Sequence, residues 1–223
     1  MSNVTHMPPR GRYLAHEVGR LAGVSGQTVG QWARQGYIRS SQSDGRPRVY
    51  SFQDVGEAMV VHELLNRGAT YGQIREHIQR LRERYGTDWP LTQSPASTGT
   101  VGGTAKAPPR VVAKESGTIY GTGSRGWQQQ VEIGDLRVIA ELLRRGGWAA
   151  RDLPDLEHIE VNPDRLSGRP TIRGHRIAAE DVAEIAQAPN GAEILRTDYE
   201  LSDAEIHDAV RWWNVARRYD AAA

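Results

Sequence analysis

The chain has 223 residues, 28 Lys and Arg against 27 Asp and Glu, a formal net charge of +1, and no cysteine. That length admits two small domains with cores of their own, and the missing thiols exclude disulfides, thiolate nucleophiles and thiolate metal sensing. Hydrophobic content of 38%, a mean hydropathy of −0.59, no apolar run long enough to span a bilayer and a polar start, MSNVTHMPPRGR, point to a cytoplasmic protein.

The first element is LAHEVGRLAGV, with Leu14, Val18 and Leu21 at the i, i+4, i+7 spacing that gives one helix an apolar stripe. Gly23 breaks it. Ser25 then offers a hydroxyl N-cap to a second helix that Gly36 stops near Gln35. Val29, Trp32 and Ala33 face the first helix, which leaves Gln27, Thr28, Gln31 and Arg34 directed outward, where Gln can pair with adenine and Arg with guanine. The following YIRSSQSDGRPRVYS contains Asp44-Gly45, a dipeptide suited to a tight hairpin turn between two short strands, a wing that carries Arg39, Arg46 and Arg48. Guanidinium groups there suit phosphate oxygens and hold register without reading bases.

Phe52 to Asn66 reads as a helix with Val55, Met59 and Leu64 or Leu65 inward, ended near Gly68. Thr70 and Gln73 form a capping box for a helix to about Arg84, whose Ile74, Ile78 and Leu81 suit either a dimer seam or packing against Met59.

Residues 10–85 thus form a winged helix-turn-helix. EVGRLAGVSGQTVGQWARQGYI followed by GRPRVYSFQDV resembles the DNA-binding domain of MerR-type regulators, over roughly residues 12 to 84. Gly30 and Gln31 stand where that family often has Arg and an aromatic. The resemblance implies double-stranded DNA as a partner and a homodimer matching a two-fold operator.

Residues 86–109, with SPASTGTVGGTAKAPP, read as a flexible linker. In residues 110–150, RVVAKESGTIYGTG is a hairpin about Ser116-Gly117, RGWQQQVEI adds a strand, and Asp135 caps the helix LRVIAELLRR, which ends at Gly146-Gly147. Trp127 and Trp148 fill a core or anchor an interface.

Residues 151–223 form the last unit. Apolar runs flank Arg173-Gly174 as a hairpin, Val182, Ile185 and Ala186 take helical spacing, Gly191 to Arg196 makes a short helix, and Ser202 with Glu205 caps a third in which Ile206, Val210 and Trp213 share a face. The run GRPTIRGHRI, with Gly168, Pro170, Ile172, Gly174, Arg176 and Ile177, resembles a module of VapB-type antitoxins over roughly residues 156 to 216, with His175 where Thr is frequent. The fold class is therefore mainly α with small β-hairpins: a winged helix-turn-helix, a central hairpin region, and a hairpin plus three helices that is itself helix-turn-helix-like.

The second resemblance implies an antitoxin that binds a PIN-domain ribonuclease toxin and represses the shared promoter. A Mg²⁺-holding carboxylate cluster in such a nuclease is blocked by an inserted cation or a steric cap. Trp212, Trp213, Arg217 and Arg218 form one candidate set for toxin binding, and Arg144, Arg145 and Trp148 a second, although cations at a helix C-terminus also serve its dipole.

Charge follows the same division. Lys and Arg number 12 against 7 Asp and Glu in residues 1–85, 7 against 5 in 86–150, and 9 against 15 in 151–223, giving +5, +2 and −6. A basic front suits a polyanion and an acidic back suits a protein. A stand-alone MerR-like regulator answering to a small ligand is the alternative. An enzyme is not expected: Asp181, Glu184, Asp198 and Glu200 lack a His or Lys base at useful spacing, the seven histidines are scattered, and no metal or cofactor is called for.

Overall fold

The computed structural model describes residues 8–93, 112–113, 118–122, 128–132 and 136–220. Trp127, Asp135 and linker residues 94–109 lie outside them. Its helices are α1 (Ala15–Ala22), α2 (Gly26–Gln35), α3 (Phe52–Asn66), α4 (Tyr71–Tyr85) and α5 (Pro90–Gln93), then α6 (Leu136–Arg144), α7 (Ala149–Asp152), α8 (Ala179–Ala186), α9 (Gly191–Thr197) and α10 (Asp203–Ala216). Strands β1 (Val112–Ala113), β2 (Thr118–Thr122) and β3 (Gln128–Glu132) form one antiparallel sheet, and β4 (Ile159–Val161) and β5 (Pro170–Ile172) another. The chain is thus mainly helical, with small antiparallel hairpins. No helix among the described residues is long and apolar enough to cross a membrane.

Local chemistry sets most helix starts. The Ser25 hydroxyl accepts from the Thr28 N–H at 3.1 Å, and capping boxes close on Ser51 with Asp54, Thr70 with Gln73, and Ser202 with Glu205. Leu14 is the exception to the expected stripe of α1. Tyr13 and Tyr50 exchange backbone hydrogen bonds of 2.9 Å in both directions. This extended pairing turns the Tyr13 ring inward and, by alternation, leaves Leu14 outside at the N-cap.

The wing also differs from expectation. Neither Asp44 nor Gly45 has positive φ, so they do not form the mirror-image turn that their dipeptide favours. The Asp44 carboxylate instead accepts from the Ser40 hydroxyl, and Gly45 N–H donates to the Ser43 hydroxyl at 3.2 Å. A wider loop results, closed by the Ser43 to Val49 bridge, with backbone bonds of 3.0 and 2.9 Å. Short polar side chains here capture the backbone groups that a ladder would have used.

Val18, Leu21, Val29, Trp32, Met59 and Leu64 build the N-terminal core, and Ile74 and Ile78 of α4 are buried in it. The α4 stripe therefore packs within its own chain. The start of the interval 86–109 packs too: the Trp89 indole N–H donates to Asp54 Oδ1 at 2.7 Å, and Leu91 joins the same core.

In the last unit the register is Ile159 to Ile172, Glu160 to Thr171 and Val161 to Pro170, so the connection runs through 162–169. The turn about Arg173-Gly174 exists as well. It carries Gly174 at φ 84° and returns the chain through the Thr171 to Ala178 bridge into α8. Helices α8 and α10 enclose the second core with Leu156, Ile159, Ile172, Val182, Leu195 and Trp212.

These cores meet. The Trp148 N–H donates to Leu21 O at 2.7 Å, and its ring packs at a tilt against His62 with centroids 4.2 Å apart. Two glycines permit this contact. A Cβ on Gly23 would stand 2.5 Å from the Trp148 ring, and one on Gly147 would stand 2.5 Å from Leu21 O, both at positive φ. Burial of the His62 ring against this junction lowers its pKa. Charged groups add to the joint. The Arg20 guanidinium donates to Asp220 at 2.8 Å and Glu180 at 3.1 Å and lies 4.5 Å from the Trp213 ring centre, and Arg151 donates to buried Glu63 at 2.7 Å. Burial opposes the Glu63 charge, but hydrogen bonds from Arg151 and Arg67 overcome it and hold its pKa low.

Candidate nucleic-acid interface

Helices α1 and α2 cross closely because α1 carries Gly19 at the contact, where a Cβ would stand 2.5 Å from Val24 O. This close approach sets the angle at which α2 is presented. Val29 and Trp32 are buried against α1 and the core, which turns the other side of the helix to solvent.

Gln27, Gln31 and Arg34 are exposed on that side. Thr28 is half-buried, its hydroxyl 2.9 Å from the Ser25 hydroxyl, so it stiffens the first turn more than it projects. The Arg34 guanidinium folds back along the helix over Gly30, whose missing side chain leaves it that path; a Cβ there would be 3.5 Å away. On the wing, Arg46 is exposed and Arg48 half-buried. Burial raises the Tyr50 pKa, against the opposing charges of Arg48 and Arg34. Among the described residues, the Arg48 Nε and Tyr50 hydroxyl are buried without a hydrogen-bond partner. Buried donors of this kind usually find one.

Arg39 stands apart. It pairs with Asp88 and lies 5.9 Å from the Trp89 ring centre, which directs it toward α5 and away from Arg46 and Arg48. Two further residues were not singled out from the sequence. Exposed Arg12 immediately precedes Tyr13, whose bridge to Tyr50 ties the wing to α1, and His16 borders a shallow groove of about 480 Å³ at the α2 N-terminus with Ser25, Gly26, Gln27 and Asp220. His16 sits in the first turn of α1, beside Gly26, a placement that only the crossing of two helices reveals.

The candidate toxin-binding residues divide. Trp212, Trp213 and Trp148 do not supply surface anchors: they are 2%, 7% and 7% exposed. Trp212 donates its indole N–H to Gly146 O at 2.8 Å, and Trp148 fills the joint between the cores. Their large apolar area is worth more inside a core than at a helix end. Arg145 is occupied by Pro154 O and Leu156 O at 2.8 and 2.9 Å. Arg144, Arg217 and Arg218 remain exposed.

Asp181 pairs with Arg169 at 3.0 Å, and Glu184, Asp198 and Glu200 are scattered on the surface. No group of three His, Asp or Glu among the described residues is arranged to hold a metal ion.

Residues 13–81 match the family model described as MerR HTH family regulatory protein, and residues 159–212 match that of a protein of unknown function, DUF433. The chain carries a MerR-family helix-turn-helix domain followed by a DUF433 domain. For the second module the match names DUF433, a family of unknown function.

Along nearly its whole length, 93% of this chain and 92% of the relative, the chain is 26% identical to "Uncharacterized protein Rv2308" of Mycobacterium tuberculosis. The chain is also 33% identical over 69 residues to "Uncharacterized HTH-type transcriptional regulator Rv1830" of the same organism, a match that covers 29% of this chain and 31% of that one. The crystal structure of Rv2018 from Mycobacterium tuberculosis shares the fold, with a TM-score of 0.54 at 16% identity over 92% of this chain and 98% of that one. Likeness at that identity speaks for fold and not for function.

Proposed function

We propose that this protein is a DNA-binding repressor that doubles as an antitoxin: the face of α2 and the wing hold its own promoter, and the DUF433 module holds and neutralises a PIN-domain ribonuclease toxin. The observation that carries this reading is the pairing of charge with placement. Gln27, Gln31, Arg34 and Arg46 stand exposed on the basic domain, while the acidic module packs on α1 and the turn after it.

With the tryptophans inside the core, the partner contact moves to other surface. Ile194 and Tyr199 are 40% and 43% exposed around α9, among exposed Glu193, Asp198 and Glu200. Aromatic and aliphatic groups ringed by charge suit a protein interface. An acidic rim also complements the cationic channel that a ribonuclease needs for its phosphodiester substrate. Arg144, Arg217 and Arg218 remain available to carboxylates of the partner.

Co-expression with the nuclease encoded beside it tests the proposal. The two proteins should co-purify, and co-expression should relieve growth arrest; a neighbour that neither binds nor is neutralised would overturn the antitoxin role. DNA binding is a separate arm, read with the protein alone on its upstream region.

A further inference from the structure

A cleft of about 640 Å³ opens where the two modules meet, walled by α3, α6 and the β4 region. Its volume falls within the range of small-molecule sites, and the seam between modules is a place where such sites form. Phe52, Val60, Ile139, Leu143 and Val161 supply an apolar floor. Cations rim it. The Arg144 and Arg173 side chains have no hydrogen-bond or ion-pair partner among the described residues, and Arg145 is held by two carbonyl oxygens, so its charge meets no carboxylate. The acids of the rim are largely committed: Asp164 pairs with Arg10 and Glu160 with Arg165, which leaves Glu141. The balance is positive over an apolar surface.

Gly56 points to the same cleft. It lies in the middle of α3, where glycine costs about 0.5–1 kcal/mol relative to alanine. Its φ is not positive, and a Cβ would meet only ordinary contacts, Thr92 Cγ2 at 3.4 Å and Leu143 Cδ2 at 4.0 Å. Neither backbone strain nor a clash calls for glycine there. What its missing side chain preserves is open volume beside Thr92 and Leu143, which both line the cleft.

We propose that this cleft binds a small amphipathic anion, with an apolar body against Val60, Ile139 and Leu143 and an acidic head, carboxylate or sulfonate, between Arg144 and Arg173. Guanidinium groups can engage such a head in bidentate fashion. The ligand touches both modules, so its binding free energy adds to the docking between them.

The probe is 8-anilinonaphthalene-1-sulfonate, compared with N-phenyl-1-naphthylamine, which keeps the aromatic body and lacks the charge. The full chain should bind the sulfonate saturably at one site, at least tenfold more tightly than the neutral analogue, and its thermal midpoint should rise. Arg144→Gln with Arg173→Gln, both exposed and expected to fold normally, should remove that preference. Gly56→Leu should block both probes; Gly56→Ala is the milder version should the leucine disturb folding, and should weaken both at least threefold. Absence of saturable binding, a preference that survives loss of both arginines, or affinity untouched at Gly56 would each overturn the proposal.

Discussion

Glu57 is 2% exposed in α3, and its Oε1 accepts from the Thr92 N–H at 2.8 Å and the Thr92 hydroxyl at 2.9 Å, fastening α5 to the core. Burial raises its pKa from 4.5 to about 7, against the opposing pull of the Thr92 bonds and the Arg82 charge. A folded-state pKa above the unfolded value means that the folded chain holds the proton more tightly. The resulting contribution to stability is complete below about pH 4.5 and is lost as pH rises through about 7. The rise is equivalent to about 3 kcal/mol between those limits. Glu57→Gln keeps an oxygen for both Thr92 donors and carries no charge. Urea unfolding at about pH 4 and about pH 8.5 should therefore show the variant more stable than wild type by about 3 kcal/mol at the higher pH and nearly equal at the lower. A variant whose stability changes with pH as much as wild type does would refute the assignment.

On the DNA-binding face, Arg46→Ala with Arg48→Ala should weaken binding to all duplexes alike and reduce the slope of log affinity against log salt by about 2, in equilibrium titrations at several ionic strengths. Gln31→Ala should instead shift sequence preference, read by selection from a randomised pool, with the salt slope unchanged. Trp212→Ala removes a buried indole and its bond to Gly146 O and should cost about 3–5 kcal/mol in chemical unfolding; a near-neutral result would mean that the ring is not in the core. Arg151→Ala leaves buried Glu63 with Arg67 alone and should lower the thermal midpoint by several degrees, an effect of about 1.5–3 kcal/mol.

What was legible in the sequence is what a few neighbouring residues decide. Ser25 before α2, Thr70 with Gln73 before α4 and Ser202 with Glu205 before α10 cap their helices as the spacing predicts, because each cap needs only residues three apart. The apolar stripes of α2 and α3 and the strands flanking residues 116–117 are legible for the same reason. Failure came where a group outside the local pattern competes. Asp44 carries a strong turn signal, yet Ser40 claims its carboxylate. Trp148 and Trp212 look like anchors on a helix end until Gly23, Gly146 and Gly147 make room for their rings. Arg39 reads as a wing cation but meets Asp88, and Trp89 looks like part of a linker but is tied to Asp54 across 35 positions. No local periodicity encodes such pairings. The outward side of α2 was legible because Val29 and Trp32 define its inward side.

Fluorescence anisotropy of a labelled fragment from the protein's own upstream region, titrated with wild type and with Gln31→Ala combined with Arg34→Ala, tests the DNA-binding account most directly. Wild type should prefer that fragment to a shuffled one of equal length by at least a hundredfold, and the variant should bind both alike. Equal affinity of wild type for the two fragments, or an undiminished preference in the variant, would contradict α2 as the reading element.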